Sequence, residues 1–347
     1  MATKFVPVAP PQIIEGVYST DQHARLLKLV RDKGPWEMIL AQHFQSPEEV
    51  LATTSGTMPE GFTPTWEMFM SPVFRGYLAK GATALYPEIE DCFWNSKFTD
   101  LVRNYWGAEY ARPENMLFNI QGPCRGSETP HVDATNFRGV DSLNAPVWLM
   151  NMMVKSGLFD RWRCKKAQVI TWYYRGQVGG GFNYWPNGPQ AEPAQIKAPM
   201  WGRAVVVENE MMYHTAEATG PSAMRWPDGL NIKSRMRSAP DSDGWQVVNG
   251  DTVIQDIPAE EFRLLLHWGA DIYMDYNELK RALDHTDDIS KDQVFDTLIA
   301  DMRARGLTFE VPTDPLTDQK FIALLTRTYD PGKPAIFPPE PEEALAA

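Results

Sequence analysis

The chain predicts a mainly β core with helices: a double-stranded β-helix, or jelly roll, flanked by N-terminal and C-terminal helical segments. Three observations predict it. Short apolar, β-branched and aromatic runs crowd the middle of the 347 residues. Clusters such as Gly122-Pro123, Gly179-Gly180-Gly181 and Pro186-Asn187-Gly188-Pro189 punctuate them, as in sheets built from many short strands. Before and after this zone the apolar spacing turns helical and helix caps appear.

Four regions follow in order. Residues 1–114 read as helices and loops packing on the core. Ser19-Thr20-Asp21 caps a helix that runs to about Lys33, where Gly34-Pro35 stops it. Ser46-Pro47-Glu48-Glu49 carries a capping-box pattern with proline at the first helical position. Thr53 to Pro72 reads as a long loop, and Val73 to Trp106 has helical apolar spacing broken near Pro87. Residues 115–257 form the jelly-roll core. Its strand candidates are Met116–Gln121, Val147–Val154, Ala167–Tyr174, Gly181–Trp185, Arg203–Val207, Leu230–Arg237 and Trp245–Val253. Residues 258–330 read as helical again: an amphipathic stretch Pro258–Asp275, a helix from Ser290 to near Gly306, and a third over Thr317–Tyr329. The tail 331–347, rich in proline and glutamate, reads as disordered.

Composition excludes several classes. The chain is 43% hydrophobic with 12 Trp, 12 Tyr and 16 Phe, ample for a packed core. A formal charge of −12 repels phosphate backbones, so no nucleic-acid partner is expected. Three scattered cysteines form neither a disulfide framework nor a zinc finger. No run is long and apolar enough for a membrane span, and the N-terminus lacks a signal-peptide core. A cytoplasmic protein is the expectation, with the C-terminal helices offering a surface for a homo-oligomer.

The most informative motif is His131-Val132-Asp133. On an extended backbone both side chains share a face. His214 follows 83 residues later, after the strand-like run Ala204–Val207. Two histidines and one carboxylate can hold one face of a ferrous ion and leave the opposite positions open. The same triplet recurs at His285-Thr286-Asp287, in a polar acidic stretch with no histidine downstream, and there it reads as a solvated linker. Context separates the two copies.

The segment from about Asn115 to Arg237 resembles the iron(II)- and 2-oxoglutarate-dependent dioxygenase superfamily, with phytanoyl-CoA-dioxygenase-like enzymes among the nearer patterns. The matching pieces are His131-x-Asp133, the run Gly179-Gly180-Gly181-Phe182-Asn183-Tyr184-Trp185-Pro186-Asn187-Gly188, and Gly202-x-Ala204-Val205-Val206-x-Glu208-Asn209 leading to Tyr213-His214. The resemblance implies Fe(II) on His131, Asp133 and His214 as the catalytic and metal residues, with 2-oxoglutarate as cosubstrate and O2 as oxidant. It implies release of succinate and CO2 and hydroxylation of a substrate. Halogenation is disfavoured because Asp133 fills the place that halide would need.

The superfamily holds the distal carboxylate of 2-oxoglutarate with a basic residue after the second histidine, and a guanidinium fork suits that task. Arg225 lies 11 residues after His214, in a loop-like stretch. Arg235 lies on the better strand candidate, with Arg237 behind it. Asn119 and Gln121 share a face of the strand before the metal motif and offer further polar contacts. The aromatics Trp172, Tyr173, Tyr174, Phe182, Tyr184 and Trp185 read mostly as barrel core, some lining a pocket. The loop Thr53–Pro72 and the C-terminal helices are candidates to cover its mouth. A small or medium, natural-product-like organic molecule is the expected substrate. Three other readings stand beside this one: a cupin-type dioxygenase or isomerase without 2-oxoglutarate, a non-catalytic jelly-roll binding protein, and an oxygenase acting on a polypeptide.

Overall fold

Alternation along three long strands divides their side chains between an apolar core and a polar cavity. The computed structural model describes residues 3–54, 61–126, 129–198 and 200–341. The strands of the first half are β1 (Gln12–Glu15), β2 (Trp36–Met38), β3 (Val73–Lys80), β4 (Thr83–Ala84), β5 (Tyr110–Gln121) and β6 (Lys165–Tyr173). Those of the second half are β7 (Phe182–Trp185), β8 (Ala194–Ile196), β9 (Arg203–Val207), β10 (Tyr213–Ala216), β11 (Arg235–Ser238), β12 (Trp245–Asn249), β13 (Thr252–Ile257) and β14 (Arg263–Tyr273). The larger sheet runs β1-β9-β6-β14-β5-β3-β2-β11-β12-β13, with β4 beside β3, and the smaller runs β10-β7-β8. An isolated antiparallel bridge joins His131 to His214 on β10, so the segment carrying the first motif extends the smaller sheet. The central larger-sheet strands β9-β6-β14-β5, facing β10-β7-β8 and this added segment, make the expected jelly roll.

On β14, Leu264, Leu266, Trp268, Ala270 and Ile272 are fully buried in the main apolar cluster. Arg263, Leu265, His267 and Gly269 line the opposite, polar face. β5 divides the same way, with Met116, Phe118 and Ile120 in the core and Leu117 and Asn119 outside it. The helices α1 (Thr20–Asp32), α4 (Glu90–Phe93) and α5 (Ser96–Trp106) cover the apolar face through Leu26, Leu29, Val30, Phe93, Phe98 and Val102. Between α1 and α4 lie the short α2 (Ile39–His43) and α3 (Pro47–Thr53). Ser19 caps α1 in a complete capping box. Ser46 caps α3 by accepting from the Glu49 amide, while the Glu49 carboxylate turns to the Gln45 amide, so that box is half made.

Three expected elements are corrected. Pro258–Asp275 holds no helix; its centre is β14. A strand covered on both faces needs no clean alternation, and the Leu264-Leu265-Leu266 run imitates a buried helix. Val147–Val154 is not a strand but lies in α6 (Val147–Ser156), which ends at Gly157 in the left-handed region, φ 67°. Buried Trp148, Leu149, Met150, Met152, Met153 and Val154 surround its axis, so it too lacks a readable period. Val73–Lys80 is β3 rather than the start of a helical stretch.

Of the C-terminal helices, α8 (Lys291–Ala304) and α9 (Gln319–Thr328) fall close to expectation, while α7 (Tyr276–Asp284) lies where no helix was expected. Val294, Phe295, Leu298 and Met302 of α8 and Phe321, Ile322 and Leu325 of α9 pack with α6 in a second apolar cluster. Those faces are used within the chain. Residues 331–341 form no regular element, and the rest of the expected tail lies outside the described residues. No described helix is long and apolar enough to cross a membrane.

The β14 assignment has a direct consequence. Trp268 is fully buried, meets Phe98 edge-on at 5.4 Å and donates its indole N–H to Phe93 O at 2.7 Å. Trp268→Ala should destabilise the fold by about 3–5 kcal/mol. Removing the exposed Tyr276 ring should stay within about 0.5 kcal/mol. Urea unfolding of the two variants checks the contrast.

Candidate metal centre and cavity

Two histidines are brought together by main chain before side chains take part. His131 donates its amide to His214 O at 3.1 Å, and His214 returns the bond to His131 O at 2.9 Å. The Asp133 amide donates to Asn209 O at 3.2 Å, which aligns the motif with the chain entering β10. The imidazole rings then lie 4.5 Å apart. Each ring directs Nδ1 at the carbonyl two residues back, His131 to Thr129 O and His214 to Met212 O, both at 3.0 Å. That contact fixes the Nδ1–H tautomer and leaves the Nε2 lone pair for a metal. Asp133 Oδ1 sits 3.8 Å from His131 Nε2 and 3.6 Å from His214 Nε2. One donor atom from each residue lies within 4.8 Å of the others, a fit for one divalent ion. Burial alone would raise the Asp133 carboxyl, but His214 and His267 outweigh it and hold it well below the ordinary carboxylate range.

The second triplet is only in part the solvated linker expected: His285 is solvated and Asp287 is not. His285 ends α7 in the left-handed region, φ 53°, with its side chain 74% exposed. Asp287 pairs with Arg138 at 2.7 Å. Neither approaches the centre formed by His131, Asp133 and His214.

A cavity of about 390 Å³ opens beside the triad, between the two sheets. Four of the six histidines line it: His43, His131, His214 and His267. His267 Nε2 lies 3.6 Å from Asp133 Oδ2. The lining also takes Gln42 and His43 from α2, Ser142 and Ala145 from the loop before α6, and Val147 from its first turn. Among the described residues, neither the Thr53–Pro72 stretch nor the C-terminal helices line it; residues 55–60 of that stretch lie outside the described residues. Of the expected aromatics only Phe182 lines the cavity, 5.5 Å from the His214 ring. Trp172, Tyr173, Tyr184 and Trp185 belong to apolar clusters, as the core reading held.

The expected arginines lie elsewhere. Arg235 is half-exposed on β11 and pairs with Glu37 at 2.5 Å. Arg235 is not among the residues that line the cavity. Arg225 follows a short turn and donates to Gly220 O at 2.9 Å, outside the lining. Arg237 turns to Gln246. Gln121 is buried on Thr219 Oγ1 at 2.8 Å and also lies outside the lining. Asn119 does line the cavity and accepts from Arg75 Nε at 2.8 Å.

Two other arginines, Arg75 and Arg263, line the cavity. Arg263, the first residue of β14 and 49 positions beyond His214, lines the cavity and is 1% exposed. Its Nε donates to Gly180 O at 2.8 Å, while Nη2 is buried without a hydrogen-bond partner. Among the described residues it makes no ion pair within 4 Å. Burial lowers it to about 10 despite the nearby Cys124, Tyr174 and Glu217. The glycine run positions it. Gly179 has φ 60°, and a Cβ there would lie 1.8 Å from Ala218 O, so only glycine lets this turn pack against the strand end beyond β10. The inserted β11–β13 pairings lengthen the path from His214 to β14, which defeats a spacing argument. Reading Arg263-x-Leu265-x-His267 as a strand would have revealed one polar face.

Glu210 is a second missed residue. It is 3% exposed and accepts from Gln168 Nε2 at 2.5 Å through Oε1, and its Oε2 has no partner. Burial, then Asp133, raises its carboxyl to about 7, against the opposing pull of Lys166 and Gln168. In metal-free protein the folded state therefore holds an extra proton between the unfolded carboxyl's range and about 7. Stability from this group falls as pH rises through that window. Glu210→Gln removes the penalty, so its stabilising effect should grow from about pH 5 to about pH 8 in urea midpoints. A pH-independent difference would refute the assignment.

No family profile matches the chain, and no curated protein matches it. Solved structures similar to it include a 2OG-Fe(II) oxygenase family oxidoreductase from Burkholderia pseudomallei, at 11% identity and TM-score 0.39, covering 76% of this chain and 86% of that one. A prolyl hydroxylase from Trichoplax adhaerens, in complex with a hypoxia inducible factor peptide, shares 9% identity over 79% of this chain and 86% of that one, TM-score 0.36. HygX from Streptomyces hygroscopicus, with nickel and 2-oxoglutarate bound, shares 10% identity over 76% and 84%, TM-score 0.36. Likenesses this distant leave the functional assignment to the chain's own residues.

Proposed function

We propose that this chain is an iron(II)- and 2-oxoglutarate-dependent oxygenase that hydroxylates a small or medium organic substrate. The observation that carries the reading is a buried guanidinium without an anion, Arg263, in the cavity that also holds the His131–Asp133–His214 donor set. Burying an unpaired charge is costly, so a structure that keeps one favours an incoming carboxylate. A dicarboxylic keto acid suits both ends: its keto acid for a metal, its distal carboxylate for Arg263. A cupin-type enzyme without 2-oxoglutarate leaves Arg263 unexplained.

His131 Nε2, His214 Nε2 and Asp133 would hold the iron. When bound, the iron with 2-oxoglutarate and O2 supplies the oxidation, releasing succinate and CO2. The protein's share is positional. Thr129 O and Met212 O keep both rings in the ligating tautomer. Ile170, Leu265 and Phe182 give the cavity an apolar wall that limits water. Arg263 would fix the cosubstrate's far end through the fork not used by Gly180.

Two experiments test this. His131→Ala, Asp133→Ala and His214→Ala should each abolish stoichiometric Fe(II) binding by anaerobic titration, while His285→Ala keeps it. Arg263→Ala should weaken 2-oxoglutarate binding by about tenfold to a hundredfold, the value of a lost charge-assisted hydrogen-bonded pair. Arg225→Ala and Arg235→Ala should remain within about twofold. The visible charge-transfer band of the anaerobic complex reads all three. A loss confined to Arg225→Ala or Arg235→Ala would overturn the Arg263 assignment.

A further inference from the structure

Three residues of the cavity lining carry buried acceptor oxygens that lack donors. Glu210 Oε2 is one, on a residue 3% exposed. Asn115 Oδ1 is another. Its orientation is fixed, because Asn115 Nδ2 donates to Glu114 Oε2 at 2.6 Å and so Oδ1 is the oxygen left over. Asn209 Oδ1, on a residue 1% exposed, is a third. All three residues line the cavity.

The backbone sets the place of one of these oxygens, Asn115 Oδ1, on the cavity side of β14. Between Gly269 and Ala270 the β14–β5 register slips, so Gly269 faces Asn115 while Ala270 faces Pro113. Glu114 is the extra residue of this bulge, and the consecutive Glu114 and Asn115 both line the cavity. A Cβ on Gly269 would lie 2.7 Å from Asn115 Oδ1, so glycine there gives the amide its place over β14. Lys166, the buried cation nearby, already bonds Glu114 Oε2 at 3.1 Å and lies 3.7 Å from Asp271 Oδ1. It is committed to those carboxylates and is held charged by them, Glu114 first, against the effect of burial.

Buried acceptors without donors cost about 1–3 kcal/mol each, and an apolar ligand would leave that cost standing. We infer that the substrate is a polar molecule carrying an amino group, whose N–H donors meet Glu210 Oε2, Asn115 Oδ1 and Asn209 Oδ1. This deepens the oxygenase reading by naming the substrate class of the same cavity. It also narrows the broad organic substrate that sequence suggested, because aromatic side chains contribute little of this wall.

The test uses ethanolamine, ethylene glycol and butyrate as probes, each followed by ligand-observed NMR on full-length protein, with and without Fe(II) and 2-oxoglutarate under anaerobic conditions. Ethanolamine should bind saturably and butyrate should not. Glu210→Gln should weaken ethanolamine about tenfold or more, as expected for a lost charge-assisted bond, and ethylene glycol only about twofold. Asn115→Leu should weaken both probes. Glu210→Gln should also retain or gain stability in urea, which separates lost binding from unfolding. A soaked crystal should place the ammonium within hydrogen-bond distance of Glu210 Oε2 and Asn115 Oδ1. Failure of wild-type protein to bind ethanolamine, preference for butyrate, or unchanged affinity in both variants overturns the inference. Since the probes need no turnover, that failure is distinct from a missing 2-oxoglutarate band, which would count against the oxygenase reading alone.

Discussion

The pairing of β14 between β5 and β6 is the constraint on which the rest depends. Eleven residues of β14 align with β5 and nine with β6, which locks the strand's alternation. A slip of one residue would turn Trp268 into the polar cavity and His267 into the apolar core. The correct register delivers Leu264, Leu266 and Trp268 to the helices behind the sheet, and Arg263 and His267 to the space in front. One apolar interaction thus holds the fold and sets the side chains of the site.

The second constraint is the reciprocal amide pair between His131 and His214. It joins segments 83 residues apart and closes the smaller sheet at the place where metal ligands are needed. Around it the protein keeps groups that weaken the unliganded fold. Arg263 lacks an anion, Glu210 and Asn209 lack donors, and His267 Nδ1 is buried without a partner. Each is adjacent to the cavity rather than scattered through the core. Such groups suit incoming ligands, while other buried polar atoms without partners, such as Tyr18 OH, Thr171 Oγ1 and Trp245 Nε1, lie away from the cavity.

The triad was legible in sequence because its signal is local: a triplet on extended backbone, a glycine run, and a histidine after a β-branched strand. The strand Arg203–Val207 and the capped helices at Ser19 and Ser290 were legible for the same reason. Arg263, His267 and Glu210 were not. Arg263 depends on β14, which reads as helix because both its faces are buried. Glu210 depends on how the chain leaves β9, where burial and not residue type makes the carboxyl unusual. α6 was hidden by apolar residues on every side. Long-range pairing decided each of these, and no window of residues contains it.

The most direct measurement of the central claim is an anaerobic crystal structure of the protein loaded with Fe(II) and 2-oxoglutarate. The account predicts one iron bonded to His131 Nε2, His214 Nε2 and an Asp133 oxygen, chelated by the keto acid, with the distal carboxylate on the Arg263 guanidinium. Iron bound elsewhere, or a cosubstrate carboxylate seated on Arg225 or Arg235 with Arg263 still unpaired, would contradict it.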